Sequence, residues 1–275
     1  MATAPKPTTA KKESSGSNIF ASLTIIICLV IGALLWKFVM GSPTNFEGGD
    51  PENGHPLPGN YFGMVYKGGF IVPVLIGMLL MVIVFSIERY FVINKATGSG
   101  NVDVFVKKIQ GYLTAGNIEA AMAECDKQKG SVANVIKSGL KKYREVEQDS
   151  RLDTEQASLA IQKDIEEATA LEMPMLEQNL TVIATLVSVG TLTGLLGTVS
   201  GMIKAFAGLA TAGAPDQAQL ANGISEALIN TATGILTSTI AIIMYNIFTS
   251  KIDKLTYSID EAGFSIVQTY ASTHK

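Results

Sequence analysis

Between Leu220 and Phe248 the chain reads LANGISEALINTATGILTSTIAIIMYNIF, and from Ala221 onward this run carries one charge, Glu226. An apolar stretch longer than the about 20 residues a helix needs to cross a bilayer is most simply a transmembrane helix. A carboxylate inside such a helix is costly in hydrocarbon, so ionisable groups there usually face a bundle interior or a watery cavity and mark an ion or proton route. Glu226 is therefore the first candidate for a proton-handling group. The competing reading starts from its position about 9 Å of helix rise beyond Leu220, from which a carboxylate could snorkel to the interface.

Three more apolar runs follow from the same criterion. Ile19 to Met40 lies behind a Pro, Lys and Ser rich tail, residues 1–18, whose composition predicts disorder. This run is too long for a signal core and no small-residue cleavage site follows, so it reads as a retained helix with its N-terminus inside. Phe70 to Ile87 is the second run, with Pro73 near its start and Glu88, Arg89 and Tyr90 as expected interface anchors. Thr181 to about Ala210 is the third, with Lys204 as its one charge, read as a snorkelling anchor near the outer end. Lys251 and Lys254 mark the inner end of the fourth, which places both tails inside.

The connecting segments differ in character. Residues 41–68 are Pro and Gly rich with Glu47, Asp50 and Glu52, which predicts an irregular outer loop; the spacing of those carboxylates matches no calcium loop. Residues 92–179 show apolar positions three and four apart, broken at Gly116-Asn117 and Gly130, and predict a helical cytoplasmic domain. Its last part, LDTEQASLAIQKDIEEATALEMPMLEQNL, reads as one long helix feeding the third span despite Pro174. Residues 211–219 predict a short outer loop in which Pro215 opens the next helix, and 250–275 a cytoplasmic C-terminal helix. The resulting division is a tail over 1–18, a helix over 19–40, a loop over 41–68, a span over 69–91, the helical domain over 92–179, a span over 180–210, a loop over 211–219, a span over 220–249 and the C-terminal helix. The fold class is all-α, a polytopic membrane protein with four transmembrane helices.

Composition narrows the function. Charged residues make up 16% of the chain and the net charge is -3, which gives no reason to expect nucleic acid. Cys28 and Cys125 suggest neither a disulfide framework nor a metal cluster, and His55 and His274 lie outside every apolar run. No nucleotide-binding glycine pattern is present, and no nucleophile–base pair, metal site or cofactor is indicated, so an enzyme is not expected.

The third span has two patterned sides. Gly190 with Gly194, and Gly197 with Gly201, have the small-xxx-small spacing that lets helix backbones approach closely in lipid, and Gly234 offers the same on the fourth span. Thr181, Thr185, Ser188, Thr191 and Thr198 fall at intervals that form a polar stripe, as a pore-lining helix requires. The alternative is that each hydroxyl bonds back to its own helix. Thr198 lies about 18 Å of rise from Ala210 and Thr231 about 17 Å from Leu220, so the two should sit at similar depth. Asn230 and Thr233 follow Glu226 at i+4 and i+7 on its face, which makes a plausible relay of hydrogen-bonding groups. Two such helices cannot enclose a pore alone, so self-assembly is implied.

TLTGLLGTVSGMIKAF in the third span and GISEALINTATGI with YNIF in the fourth resemble the two signature segments of the MotA/TolQ/ExbB proton channel family, most closely its ExbB branch. SIERYF, LTAGNIEAAMAEC and GSVANVIKSGL resemble that branch too, so the likeness covers roughly Gly68 to Lys251. It implies an inner-membrane ring, a pentamer, in a Gram-negative bacterium, enclosing the single spans of an ExbD-like partner and using the proton motive force to drive a TonB-like protein. The loops at 41–68 and 211–219 would then be periplasmic. By this resemblance the family's acidic residue falls on Glu226 and its two pore threonines on Thr198 and Thr231. Gly190-Thr191 stands where family members often carry Ala-Pro, and the helix at Ile19 to Met40 is additional to the usual three-span ExbB plan. A TolQ-like subunit for envelope integrity and a non-conducting scaffold are the alternatives.

Overall fold

The computed structural model describes residues 14–52, 54–148, 151–211 and 217–274. Among these the chain is helical with no strand; one isolated antiparallel bridge joins Phe46 to Pro56. Nine α-helices follow in order: α1 Ser14–Leu34, α2 Tyr61–Tyr66, α3 Val72–Thr97, α4 Val102–Thr114, α5 Ile118–Gln128, α6 Gly130–Glu147, α7 Thr154–Glu177, α8 Leu180–Thr211 and α9 Gln217–Thr273. Four helical stretches among the described residues are long and apolar enough to cross a membrane.

The chain divides into two compact units, one comprising Met1–Ile83 with Leu186–Ile240, the other Val84–Thr185 with Ala241–Lys275. In the first, α8 and α9 run antiparallel on small residues. A Cβ at Gly234 would lie 2.7 Å from the Gly190 carbonyl oxygen and 2.8 Å from Gly194 Cα, and one at Gly201 would lie 2.7 Å from the Gly223 oxygen. These approaches involve backbone atoms that cannot give way, so only glycine fits. The opposite faces expose Leu192, Leu195, Leu196 and Ile203 on α8 and Leu228, Ile235, Leu236 and Ile243 on α9. Apolar faces of that extent suit lipid.

The first helix packs on α3 by the same device. Thr24 and Cys28 are buried, and a Cβ at Gly32 would lie 2.7 Å from both the Gly77 nitrogen and the Pro73 oxygen. The expected disorder of residues 1–18 holds for no described part, because α1 begins at Ser14; the rest of that tail lies outside the described residues. The last turn of this helical segment, Leu35–Met40, widens to a π-helix.

Residues 41–68, expected to be irregular, are ordered by side chains. Asn45 Nδ2 donates to the Val39 and Met40 carbonyls at 2.9 Å, closing the helix end, and its Oδ1 accepts from Asn60 Nδ2. Asn60 in turn caps α2 by accepting from Gly63 N. Trp36 stacks on Tyr66 with centroids 4.6 Å apart, and its indole donates to the Tyr66 carbonyl. Prolines and glycines lowered the backbone propensity there, but asparagine capping supplied what the ladder did not.

The second unit holds α4 to α7, where the breaks at Gly116-Asn117 and Gly130 separate the helices as the sequence indicates. Asn101, Asn117 and Asp153 each cap the helix that follows. Phe105, Ile109, Leu113, Val132, Ile136, Leu140 and Ile161 form the core with Ile259 and Ile266 of α9. Burial pushes the Cys125 thiol up to about 12, so it is a packing residue and not a nucleophile.

The long helix through Pro174 runs over Thr154–Glu177, and Asn179 adopts φ 61° before α8 begins. One expectation is corrected in this unit. Arg89, expected as an interface anchor, is 2% exposed and donates from Nη1 to the carbonyls of Met175 at 3.0 Å and Leu176 at 3.2 Å. Those are carbonyls the terminating helix leaves without partners. Glu88 holds the same guanidinium and accepts from Asn179 Nδ2 at 3.4 Å.

Candidate functional site

Glu226 lies on the face of α9 that meets α8, together with Gly223, Ala227, Asn230 and Gly234. It is 8% exposed, enclosed by protein. Its Oε1 accepts from Lys204 Nζ of α8 at 2.6 Å. Lys204, expected to be a snorkelling anchor, forms an ion pair with this carboxylate, and its ammonium also lies 5.5 Å from the centroid of the Phe70 ring. On another side the carboxylate rests against Gly69, whose φ of 80° and lack of a Cβ leave that space open.

Asn230, one turn along, is wholly buried. Its Nδ2 donates to the Gly68 carbonyl at 2.8 Å, while a Cβ at Gly197 would meet its side chain. The Gly68-Gly69 turn ahead of α3 thus contacts both residues of the acidic face. Asn230 Oδ1 and Thr231 Oγ1 are buried with no hydrogen-bond partner among the described residues. An amide oxygen and a hydroxyl in that state leave hydrogen-bonding capacity unused beside the helix contact.

The hydroxyl stripe is divided in its contacts. Thr185 donates to the Thr181 carbonyl at 2.7 Å, Thr198 to Leu195 at 2.6 Å and Thr233 to Ile229 at 2.9 Å, each back-bonding to its own helix. Ser188 is exposed. Thr191 shares a 2.8 Å hydrogen bond with Ser238 Oγ, a polar tie between α8 and α9. Thr198 lines an open groove with Val199, Met202, Ile203 and Phe206. Gly197 faces Asn230 and Gly194 faces Thr231, so Thr198 and Thr231 lie within about one turn of each other along the helix pair. The chain thus joins Glu226 to Lys204 and the Gly68-Gly69 turn, whereas the hydroxyls of Thr198 and Thr233 are engaged elsewhere.

The residues that sequence reasoning missed are Lys204 in this role, Gly68, Gly69 and Ser238. The glycine register was the available signal: with Gly194 against Gly234 and Gly201 against Ala227, Lys204 falls beside Glu226.

A buried acid paired across two helices of small residues also agrees with comparison to known proteins. The model of the MotA/TolQ/ExbB proton channel family matches residues 127–261, which include Glu226 and Lys204. Just under half of the chain is thus similar to that family. It is 33% identical over 124 residues to the Tol-Pal system protein TolQ of Pseudomonas aeruginosa, an alignment covering 45% of this chain and 54% of that protein. To the biopolymer transport protein ExbB of Pseudomonas putida it is 34% identical over 86 residues, 31% of this chain and 26% of that protein. A putative biopolymer transport protein ExbB homolog of Methanothermobacter thermautotrophicus is 25% identical over 199 residues, 70% of this chain and 66% of that protein. The match to TolQ thus spans about half of that relative's length and the match to ExbB about a quarter. The relatives carry both names, TolQ and ExbB, and the identities do not separate the two.

Proposed function

We propose that this chain is the channel-forming subunit of an inner-membrane motor that uses the proton motive force, with Glu226 as the proton-carrying acid. The observation that carries the reading is a buried carboxylate on the α8–α9 face of a segment similar to the proton channel family, with polar atoms at Asn230 and Thr231 that have no partner among the described residues one to two turns along the same helix. A proton carrier in hydrocarbon needs such neighbours, because an acid surrounded only by alkyl groups has nowhere to pass its proton. Thr198 and Thr231 are the level at which α8 and α9 would extend the path.

One chain presents two such helices, which cannot enclose a channel. The working form is a ring, a pentamer, around the single spans of an ExbD-like partner, and it drives a TonB-like protein to energise outer-membrane transport. Both tails face the cytoplasm in this arrangement. A TolQ-like role in envelope integrity is the second reading, favoured by the length of the match to the Pseudomonas aeruginosa protein. Native mass spectrometry of the membrane-extracted chain, alone and co-expressed with a candidate small single-span protein, tests the assembly. A closed pentamer retaining one or two copies of that partner is the expected result. A monomer or dimer that retains none would overturn it.

A further inference from the structure

Lys204 is the one charged residue of α8, and Glu226 is the one charged residue of α9 between Gln217 and Phe248. The two ends of their ion pair are held very differently. Glu226 is enclosed: its side chain is 11% exposed, lies against Gly69 and projects from the close-packed face of α9. Lys204 has a side chain 49% exposed on a flexible stem, with the Phe70 ring nearby as a second surface on which an ammonium is stabilised. If the pair opens, the lysine moves and the acid stays.

An ion pair of this kind conflicts with proton carriage. While the ammonium is bound, the carboxylate's charge is already compensated, and adding a proton forfeits that attraction in a weakly screened setting. The group able to draw Lys204 away is another anion reaching the exposed side of α8. Within the described part of the first unit the other acids, Glu47, Asp50 and Glu52, belong to the segment before α2, so that anion must come from outside this pair of helices.

We infer that Lys204 is a removable counter-ion, which occupies the Glu226 carboxylate in the lone subunit and is released when a carboxylate on a partner's helix takes up its ammonium. This rests on the proton-motor reading above and adds to it a residue that couples partner binding to conduction. Lys204 is a positioning residue, acting through Glu226.

The test labels Glu226 with dicyclohexylcarbodiimide, which adds to a protonated carboxyl in an apolar setting, and follows the modified peptide by mass spectrometry in phosphatidylcholine vesicles. Without a partner, Lys204→Met should be labelled roughly tenfold or more faster than the wild type, because the ammonium must leave the enclosed carboxylate before the reagent can add. Lys204→Arg, which keeps the charge, should label like the wild type, and co-reconstituting the wild type with its single-span partner should raise its labelling towards that of Lys204→Met. Equal labelling of wild type and Lys204→Met would overturn the inference, as would Lys204→Arg labelling as fast as Lys204→Met, which would indicate a packing role. Release by anionic lipid alone would overturn the partner carboxylate as the trigger and assign it to a lipid phosphate. Glu226→Gln, assayed for proton flux in parallel, separates the two ideas: unchanged flux refutes the motor reading, whereas lost flux with unchanged labelling in Lys204→Met refutes only the counter-ion.

Discussion

Asn230 Nδ2 donates to the Gly68 carbonyl at 2.8 Å, joining the fourth apolar helix to the turn that opens α3, 162 residues away in sequence. The bond fixes the backbone on which Glu226 rests, because Gly69 is the next residue and contacts the carboxylate. Asn230→Ala would leave the Gly68 oxygen buried and unpaired, at a cost of about 1–3 kcal/mol. Thermal unfolding in detergent should show a lower midpoint for this variant, and an unchanged midpoint would deny the bond a structural role.

Glycine positions divide into those that space helices and those that do not. Gly234→Ala places a methyl against the Gly190 oxygen and Gly194 Cα, where backbone must shift, and should destabilise by about 1–3 kcal/mol as overpacking does. Gly111→Ala on α4 meets nothing within 4 Å and should instead stabilise by about 0.5–1 kcal/mol. Measuring both midpoints under one condition checks the contrast, which fails if the two changes have the same sign.

Arg89 gives the largest expected effect in the second unit. Arg89→Ala strips donors from the carbonyls of Met175 and Leu176 and leaves Glu88 without its cation, so a loss of about 3–5 kcal/mol is expected. Lysine cannot reproduce the forked geometry, so Arg89→Lys should recover only part of it. Limited proteolysis near Gln178-Asn179 would report loosening of that junction, and wild-type resistance in Arg89→Ala would contradict the assignment.

The ion pair of Lys108 with Glu124, at 2.6 Å, predicts a pH dependence. The hydrogen bond from Lys108 holds the Glu124 carboxyl below its usual range. A depressed carboxylate contributes stability that is present above its unfolded pKa, about 4.3, and is lost as pH falls through the folded value. Lys108→Met should therefore lower the unfolding midpoint at neutral pH and converge with the wild type in acid. A difference that persists undiminished in acid would point to another cause.

The sequence showed four membrane helices plainly, because bilayer thickness makes length and apolarity nearly sufficient. Glu226 was equally visible as a lone charge in such a run. Its partner was not, since Lys204 meets it only when the register of α8 on α9 is known. What holds the end of α7 was hidden for a similar reason: the αL residue there, Asn179, is asparagine instead of glycine, and Arg89 donates to the last carbonyls from 86 residues away. The segment ahead of α2 read as irregular because the order there comes from Asn45, Asn60 and Trp36 side chains, which propensity does not register.

The most direct test of the central claim is proton flux through vesicles containing the chain and a candidate single-span partner, comparing wild type with Glu226→Gln. Glutamine keeps the shape and hydrogen-bonding capacity of the side chain but cannot carry a proton on an ionisable carboxyl. The account predicts that the variant assembles normally and passes no protons above the leak of empty vesicles. Wild-type flux in a normally assembled Glu226→Gln complex would contradict it and remove this acid from the proton path.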